Sequence, residues 1–272
     1  MNTRLAIGSS PRDWWNWIRT RPIRYEAFEK VGSDVLNSPD FATQLAKSHK
    51  GAPFLKWEHY FPVYSKVARE LKAANTAKVL KILEIGVDRG GSLVLWKKLF
   101  GNGNLVYGID INPMASQVSP RIAHVRIGSQ NDQNFLDEIK QEIGSCDLIV
   151  DDGSHASSDV IFTFKSLFPW LAAGGIYLIE DSHSSYWTYW NLKGGLRRKT
   201  SCIEYFKNII DTLHQDYIKS NASKRIWRGQ VPAQIESIEF FDSIIIVRKA
   251  KETSGVSHAR LVEAGYDEAS KD

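Results

Sequence analysis

Residues 79–92 read Val79-Leu80-Lys81-Ile82-Leu83-Glu84-Ile85-Gly86-Val87-Asp88-Arg89-Gly90-Gly91-Ser92. The run from Val79 to Ile85 is short and apolar and stops at Gly86, which predicts a buried strand. A glycine-containing loop follows, and Ser92 to Phe100 then carries helical spacing. A strand that turns through glycines into a helix exposes backbone N–H groups at the helix start and lets a ligand approach closely. The glycine spacing is not G-x-G-x-x-G, because Gly90 and Gly91 are the next after Gly86. The loop therefore lacks the pyrophosphate cradle of a dinucleotide site and suits a cofactor with a ribose but no phosphate. A purely structural glycine turn is the competing account.

Working outward, Leu105 to Ile109 predicts a second strand that closes on Asp110, where an acid can accept hydrogen bonds from ribose hydroxyls. Ile122 to Ile127 and Cys146 to Val150 predict a third and a fourth strand, with a helix over Phe135 to Ile143 between them. A helix from Val160 to Leu171 leads to a fifth strand, Ile176 to Ile179. Strands alternating with helices imply parallel βαβ units. Gln234–Phe241 and Ile244–Val247 are parted only by Asp242-Ser243, too short a gap for a crossover helix, so this pair is expected to be an antiparallel hairpin. The expected organisation is a helical N-terminal extension over 1–75, an α/β domain over 76–250 and a polar tail over 251–272. Within the extension, Ser10-Pro11 and Ser38-Pro39 look like helix starts. Trp57, Tyr60, Phe61, Tyr64 and Val67 recur at three- and four-residue steps, which predicts a helix packed on the main domain, with an aromatic lid as the alternative.

The chemistry concentrates at two strand ends. Asp151, Asp152 and His155 follow the fourth strand, and Glu180 and Asp181 follow the fifth. In a parallel sheet these ends emerge on one edge, with neighbouring strands ~4.8 Å apart. Carboxylates brought that close repel one another, and a divalent cation relieves the repulsion. Hard oxygen ligands of this kind suit Mg²⁺, Mn²⁺ or Ca²⁺. Capping of the next helix by Asp152 or Ser154, and a loop role for Asp181, is the competing account. His155 is placed to take a proton from a hydroxyl, with His183 as a rival. The segment Ser182 to Lys199 carries Tyr186, Trp187, Tyr189, Trp190, Gly194 and Gly195, which fits either a lid that stacks on sugar rings or a surface loop packed on the N-terminal helices.

Composition narrows the classes. The 272 residues carry a net charge of +4, too mild and dispersed to indicate a nucleic-acid partner. Two cysteines without a CxxC exclude a thiolate zinc site and fit a reducing, cytoplasmic setting. No apolar run is long enough to cross a bilayer, and no secretory h-region is visible at the start.

Taken in order, LEIGVDRGGS (83–92), YGIDINP (107–113), IVDDGSH (149–155) and GGIYLIEDSHSSYW (174–187) resemble the class I S-adenosylmethionine-dependent methyltransferases of the Mg-dependent macrolide-sugar, mycinamicin type. The likeness runs from about Lys56 to Trp187 and includes the final hairpin. It implies a Rossmann-like α/β fold, with a mostly parallel seven-stranded sheet and a C-terminal antiparallel hairpin. It further implies Asp152, Glu180 and Asp181 as ligands of Mg²⁺ or Mn²⁺, and His155 as the base. Glu84, Gly86, Ser92, Asp110, Gln130 and Asp151 are expected around S-adenosyl-L-methionine. The expected partner is a small-molecule glycoside, with no nucleic acid and no membrane, and a homo-oligomer is left open. A metal-independent transferase and a non-catalytic cofactor-binding partner protein are the alternatives.

Overall fold

The computed structural model describes residues 40–188, 192, 194–217 and 234–251. The expected helix starts at Ser10-Pro11 and Ser38-Pro39, residues Tyr189 and Trp190, and the tail from 252 lie outside the described residues.

Among the described residues two helices, α1 (Phe41–Lys47) and α2 (Tyr60–Ala74), precede the sheet. Then come β1 (Lys81–Ile85), α3 (Gly91–Phe100), β2 (Leu105–Asp110), β3 (His124–Ile127), α4 (Gln133–Ile143), β4 (Leu148–Asp151), α5 (Ser157–Leu167) and β5 (Ile176–Ile179). A 3₁₀ turn, Ser182–Tyr186, leads on to α6 (Cys202–Asn208) and the hairpin β6 (Ile235–Phe240) and β7 (Ile245–Lys249). The seven strands lie in the order β3-β2-β1-β4-β5-β7-β6. The first five pair in parallel, while β7 runs antiparallel to both β5 and β6.

The sheet is buried on both faces, so its central strands are continuously apolar rather than alternating. Side chains of period two go to opposite layers. Ile82, Leu148, Val150, Ile176, Leu178 and Ile246 pack under α1, α2 and α3. Leu83, Ile149, Tyr177, Ile179, Ile245 and Val247 pack under α4, α5 and α6. The segment from Phe41 to Leu71 thus shares a core with α3 and the sheet. Pro62 sits in the first turn of α2, where the missing N–H has no intrahelical partner to lose.

Register brings the acids together. Ile85 pairs with Asp151, and Asp151 with Ile179. The next residues along the two strands, Asp152 and Glu180, therefore leave the sheet side by side. Among the described residues no helix is long and apolar enough to cross a membrane.

Candidate active site

The glycine loop is shaped by what crosses it. Gly86 has φ +88°, and a Cβ there would lie 2.0 Å from the carbonyl oxygen of Asp152. The glycine is required by the backbone leaving β4. Asp110 is turned into the same loop. Its Oδ2 accepts from the N–H groups of Val87 and Asp88, both at 2.8 Å, and its Oδ1 from that of Asn112 at 2.7 Å. Two carboxylate oxygens offer about four acceptor positions, so room for a further donor such as a hydroxyl is left.

Other expected cofactor residues lie deeper. Glu84 accepts from Ser92 Oγ at 2.6 Å and from Trp96 Nε1 at 3.1 Å, inside the core. Asp151 is buried; it accepts from Tyr177 Oη at 2.9 Å and from Gln130 Nε2 at 3.3 Å. Gln130 also accepts from the Ser154 N–H at 2.7 Å, tying the loop after β4 to the one after β3. Burial pushes Asp151 up to about 6.

At the strand ends, the acids enclose a lysine. Lys56 Nζ donates to Asp152 Oδ2 at 2.5 Å and to Glu180 Oε2 at 2.7 Å, and lies 3.6 Å from Glu84 Oε1. The Lys56 side chain is only 3% exposed. Burial alone would lower its pKa, but the charges of Asp152, Glu180 and Glu84 hold it well above the ordinary value. The carboxyls are pushed the other way. Burial raises Asp152, Glu180 and Glu84 each to about 7, against the opposing pull of Lys56. One ammonium among three such acids leaves the cluster short of positive charge near neutrality.

The helix α2 adds two hydroxyls. Tyr64 donates to Glu180 Oε1 at 2.7 Å. Tyr60 donates to Asp181 Oδ1 at 2.6 Å and lies 2.8 Å from Ser243 Oγ in the hairpin turn. The expected helix packed on the domain is present from Tyr60 onward, and its aromatic face also reaches the acids; Trp57, expected on that face, lies before the helix and is exposed. Lys56, Tyr60 and Tyr64 were absent from the expected set. Their one visible signal is the placement of two tyrosines on an apolar helix face, since a buried phenol needs a partner.

His155 Nε2 lies 3.9 Å from Asp152 Oδ1 and 3.7 Å from Asp181 Oδ2. These three residues present donor atoms all within 4.8 Å of one another. Glu180 stands apart from this group, with both oxygens engaged by Tyr64 and Lys56. Neither Asp152 nor Asp181 behaves as a simple cap: α5 has no side-chain cap at its N-terminus, Asp152 faces Lys56, and the Asp181 side chain does not cap the 3₁₀ turn it precedes. His155 and Asp181 both hold left-handed backbone, φ +56° and +50°. Such conformations cost ~1–3 kcal/mol at non-glycine residues and cluster at functional sites.

An aromatic fringe borders the acids. His183 lies between Trp57 and Trp187, at ring centroid distances of 6.1 and 4.6 Å, and its Nδ1 meets Ser243 Oγ. Trp57 is 55% exposed. Beside this fringe, Gly194 N–H donates to Trp187 O and Gly195 N–H to Ser185 O, both at 2.8 Å.

A family model described as a methyltransferase domain matches residues 83–182, from within β1 through Ser182. The chain carries a methyltransferase domain. It is 33% identical over 199 residues to the 8-demethyl-8-alpha-L-rhamnosyl tetracenomycin-C 2'-O-methyltransferase of Streptomyces olivaceus, covering 69% of this chain and 50% of that protein. It is 31% identical over 213 residues to the mycinamicin VI 2''-O-methyltransferase of Micromonospora griseorubida, covering 74% and 50%. Among solved structures it is similar to the MycE methyltransferase from the mycinamycin biosynthetic pathway in complex with Mg, SAH and mycinamycin VI. That match has a TM-score of 0.65 at 27% identity, over 80% of this chain and 55% of that one. The chain spans about half the length of the curated relatives it matches. The methyltransferase domain has the Rossmann-like fold expected of it, with the seven-stranded sheet closed by an antiparallel hairpin.

Proposed function

We propose that the chain transfers a methyl group from S-adenosylmethionine to a sugar hydroxyl of a glycosylated small molecule, assisted by a divalent cation. The observation that carries this reading is the meeting of Asp152, His155 and Asp181 at the ends of two adjoining strands, one strand away from the glycine loop. The named activities of the relatives, and the ligands named for MycE, support it.

The oxygen donors fit a hard cation: the carboxylates of Asp152 and Asp181 converge, with the His155 imidazole beside them and outside the ligand set. Asp152 and Asp181 would hold it, with Glu180 steadied behind them by Lys56 and Tyr64. When bound, the cation lowers the pKa of a coordinated hydroxyl, and the sulfonium cofactor supplies the methyl group. The chain's own residues do the rest. Gly86 and Asp110 line the ribose end, while Glu84, Ser92, Gln130 and Asp151 fix the shape of that wall from inside the core. His155 accepts the hydroxyl proton at Nε2, the ring nitrogen that faces the acids. Tyr60 fixes Asp181. Trp57 and Trp187 offer faces for a sugar ring.

Lys56 favours one second reading, a metal-independent transferase in which its ammonium is the sole cation of the cluster. The test is a methyl-transfer screen over glycosides bearing vicinal diols, with metal-stripped protein in EDTA and after adding Mg²⁺. His155→Ala and Asp152→Asn are expected to abolish transfer while calorimetric cofactor binding persists. Full turnover in EDTA establishes the second reading. Unchanged turnover in His155→Ala removes the base.

A further inference from the structure

The segment that carries Lys56 is fastened at several points. At its start, a Cβ on Gly91 would lie 2.4 Å from both the Ala52 and the Pro53 carbonyl oxygens, so residues 52–53 lie directly on the first turn of α3. At its end, Tyr60 and Tyr64 donate to Asp181 and Glu180. Between these anchors Lys56 reaches three carboxylates that belong to three different strand ends: Glu84 on β1, Asp152 after β4 and Glu180 after β5. Residues 52–64 thus form a strap across the carboxyl edge of the sheet, and the ammonium is its central pin.

Such a pin changes what a metal must do. In a site built from acids alone, the cation is needed to hold the ligands together, and the metal-free protein is loosened there. Here one positive charge is already covalently attached. It is desolvated, it donates to two carboxylates, and Tyr64 satisfies the other oxygen of Glu180. The atoms that remain turned toward one another are Asp152 Oδ1, Asp181 Oδ2 and His155 Nε2.

We propose that Lys56 is a built-in counter-cation, a positioning residue that holds Asp152 and Glu180 together before any metal binds, so that the carboxylate edge is preassembled. The inference rests on the metal-assisted reading above for its final step only. Breaking a buried ion pair from one side leaves carboxylates uncompensated, and the loss should appear in the metal-free protein. A divalent cation delivered to the same edge should then replace part of what the ammonium supplied.

The experiment is thermal unfolding of the full chain in EDTA and in excess MgCl2, for the wild type, Lys56→Met and Lys56→Arg. Lys56→Met is expected to melt about 6–15 °C lower in EDTA, from the usual cost of orphaning a buried charge in a domain of this size. It should recover a larger share of that loss in MgCl2 than the wild type gains. Lys56→Arg should stay closer to wild type in EDTA. A second measurement needs no variant: amide exchange over residues 52–60 of the wild type should be as slow in EDTA as in MgCl2. Lys56→Met melting with the wild type in EDTA overturns the proposal, as does a strap that is protected only when metal is added. So does a melting loss that Mg²⁺ does not recover in a protein that still binds Mn²⁺ by electron paramagnetic resonance. If the wild type binds no Mn²⁺ at all, the metal reading fails, while the EDTA melts and the exchange data still decide the role of Lys56.

Discussion

Replacing Gly91 with alanine sets local propensity against packing. Gly91 is the first residue of α3, and its backbone is compatible with a side chain. Helix propensity alone predicts a gain, up to ~1 kcal/mol in a helix interior and less at the first position. The structure predicts the opposite sign. The new methyl would stand 2.4 Å from two carbonyl oxygens and 2.5 Å from the Pro53 carbonyl carbon. All three are backbone atoms, so relief requires the strap to lift by roughly 1 Å to reach ordinary contact, and overpacking of this kind costs ~1–3 kcal/mol. The net expectation is a loss of about 1–2 kcal/mol, or roughly 3–7 °C in melting temperature for a domain of this size. The displacement carries Lys56 with it, because only Phe54 and Leu55 separate it from Pro53 in the sequence. Methyl transfer should fall by roughly 100-fold, the usual penalty for a 1 Å error in a catalytic arrangement. Calorimetry and a turnover assay on the same preparation measure both. A Gly91→Ala protein that melts at or above the wild type refutes the reasoning, since it would mean that the strap does not rest on α3.

Tyr64→Phe removes a hydroxyl that donates to Glu180 Oε1 in a fully buried setting. It should cost about 1.5–3 kcal/mol, measured by denaturant unfolding, and an unchanged midpoint would contradict the geometry. The far edge of the sheet gives a pH prediction. Burial alone would raise the Glu239 pKa, but hydrogen bonds from Lys66 and Arg248 hold it below the ordinary 4.5. The unfolded chain therefore binds this proton more readily, so the stabilisation is present in full above about pH 4.5 and is lost as the pH falls through the depressed value. Glu239→Gln should be less stable than wild type at pH 7 by under ~1 kcal/mol, with the gap closing in melts below pH 4; a gap that widens in acid has the wrong sign.

The strands and the hairpin were readable because burial and turn chemistry are local. Asp242-Ser243 leaves no room for a crossover, and the hairpin β6–β7 follows. The convergence of Asp152 with Glu180 and Asp181 was readable because parallel neighbours share an edge and the register aligns Asp151 with Ile179. Lys56 was not. It is a lone lysine in a polar-aromatic stretch, 96 residues from Asp152 and 124 from Glu180, and no periodicity links them. Tyr60 and Tyr64 were legible as buried rings, but where their hydroxyls point depends on how α2 crosses the sheet. Glu84 shows the reverse: its motif suggested a ligand, whereas its carboxylate is occupied by Ser92 and Trp96 within the core.

The strand order has a bearing on how the chain is made. β7 lies between β5 and β6, so until Ile245–Lys249 leave the ribosome, β5 exposes a bare apolar edge. The hairpin turn at Ser243 also anchors Tyr60 and receives the Ser182 N–H, so one late-arriving element completes both the sheet and the wall behind Asp181. A nascent chain halted before this hairpin would be a candidate for chaperone capture and edge-to-edge aggregation.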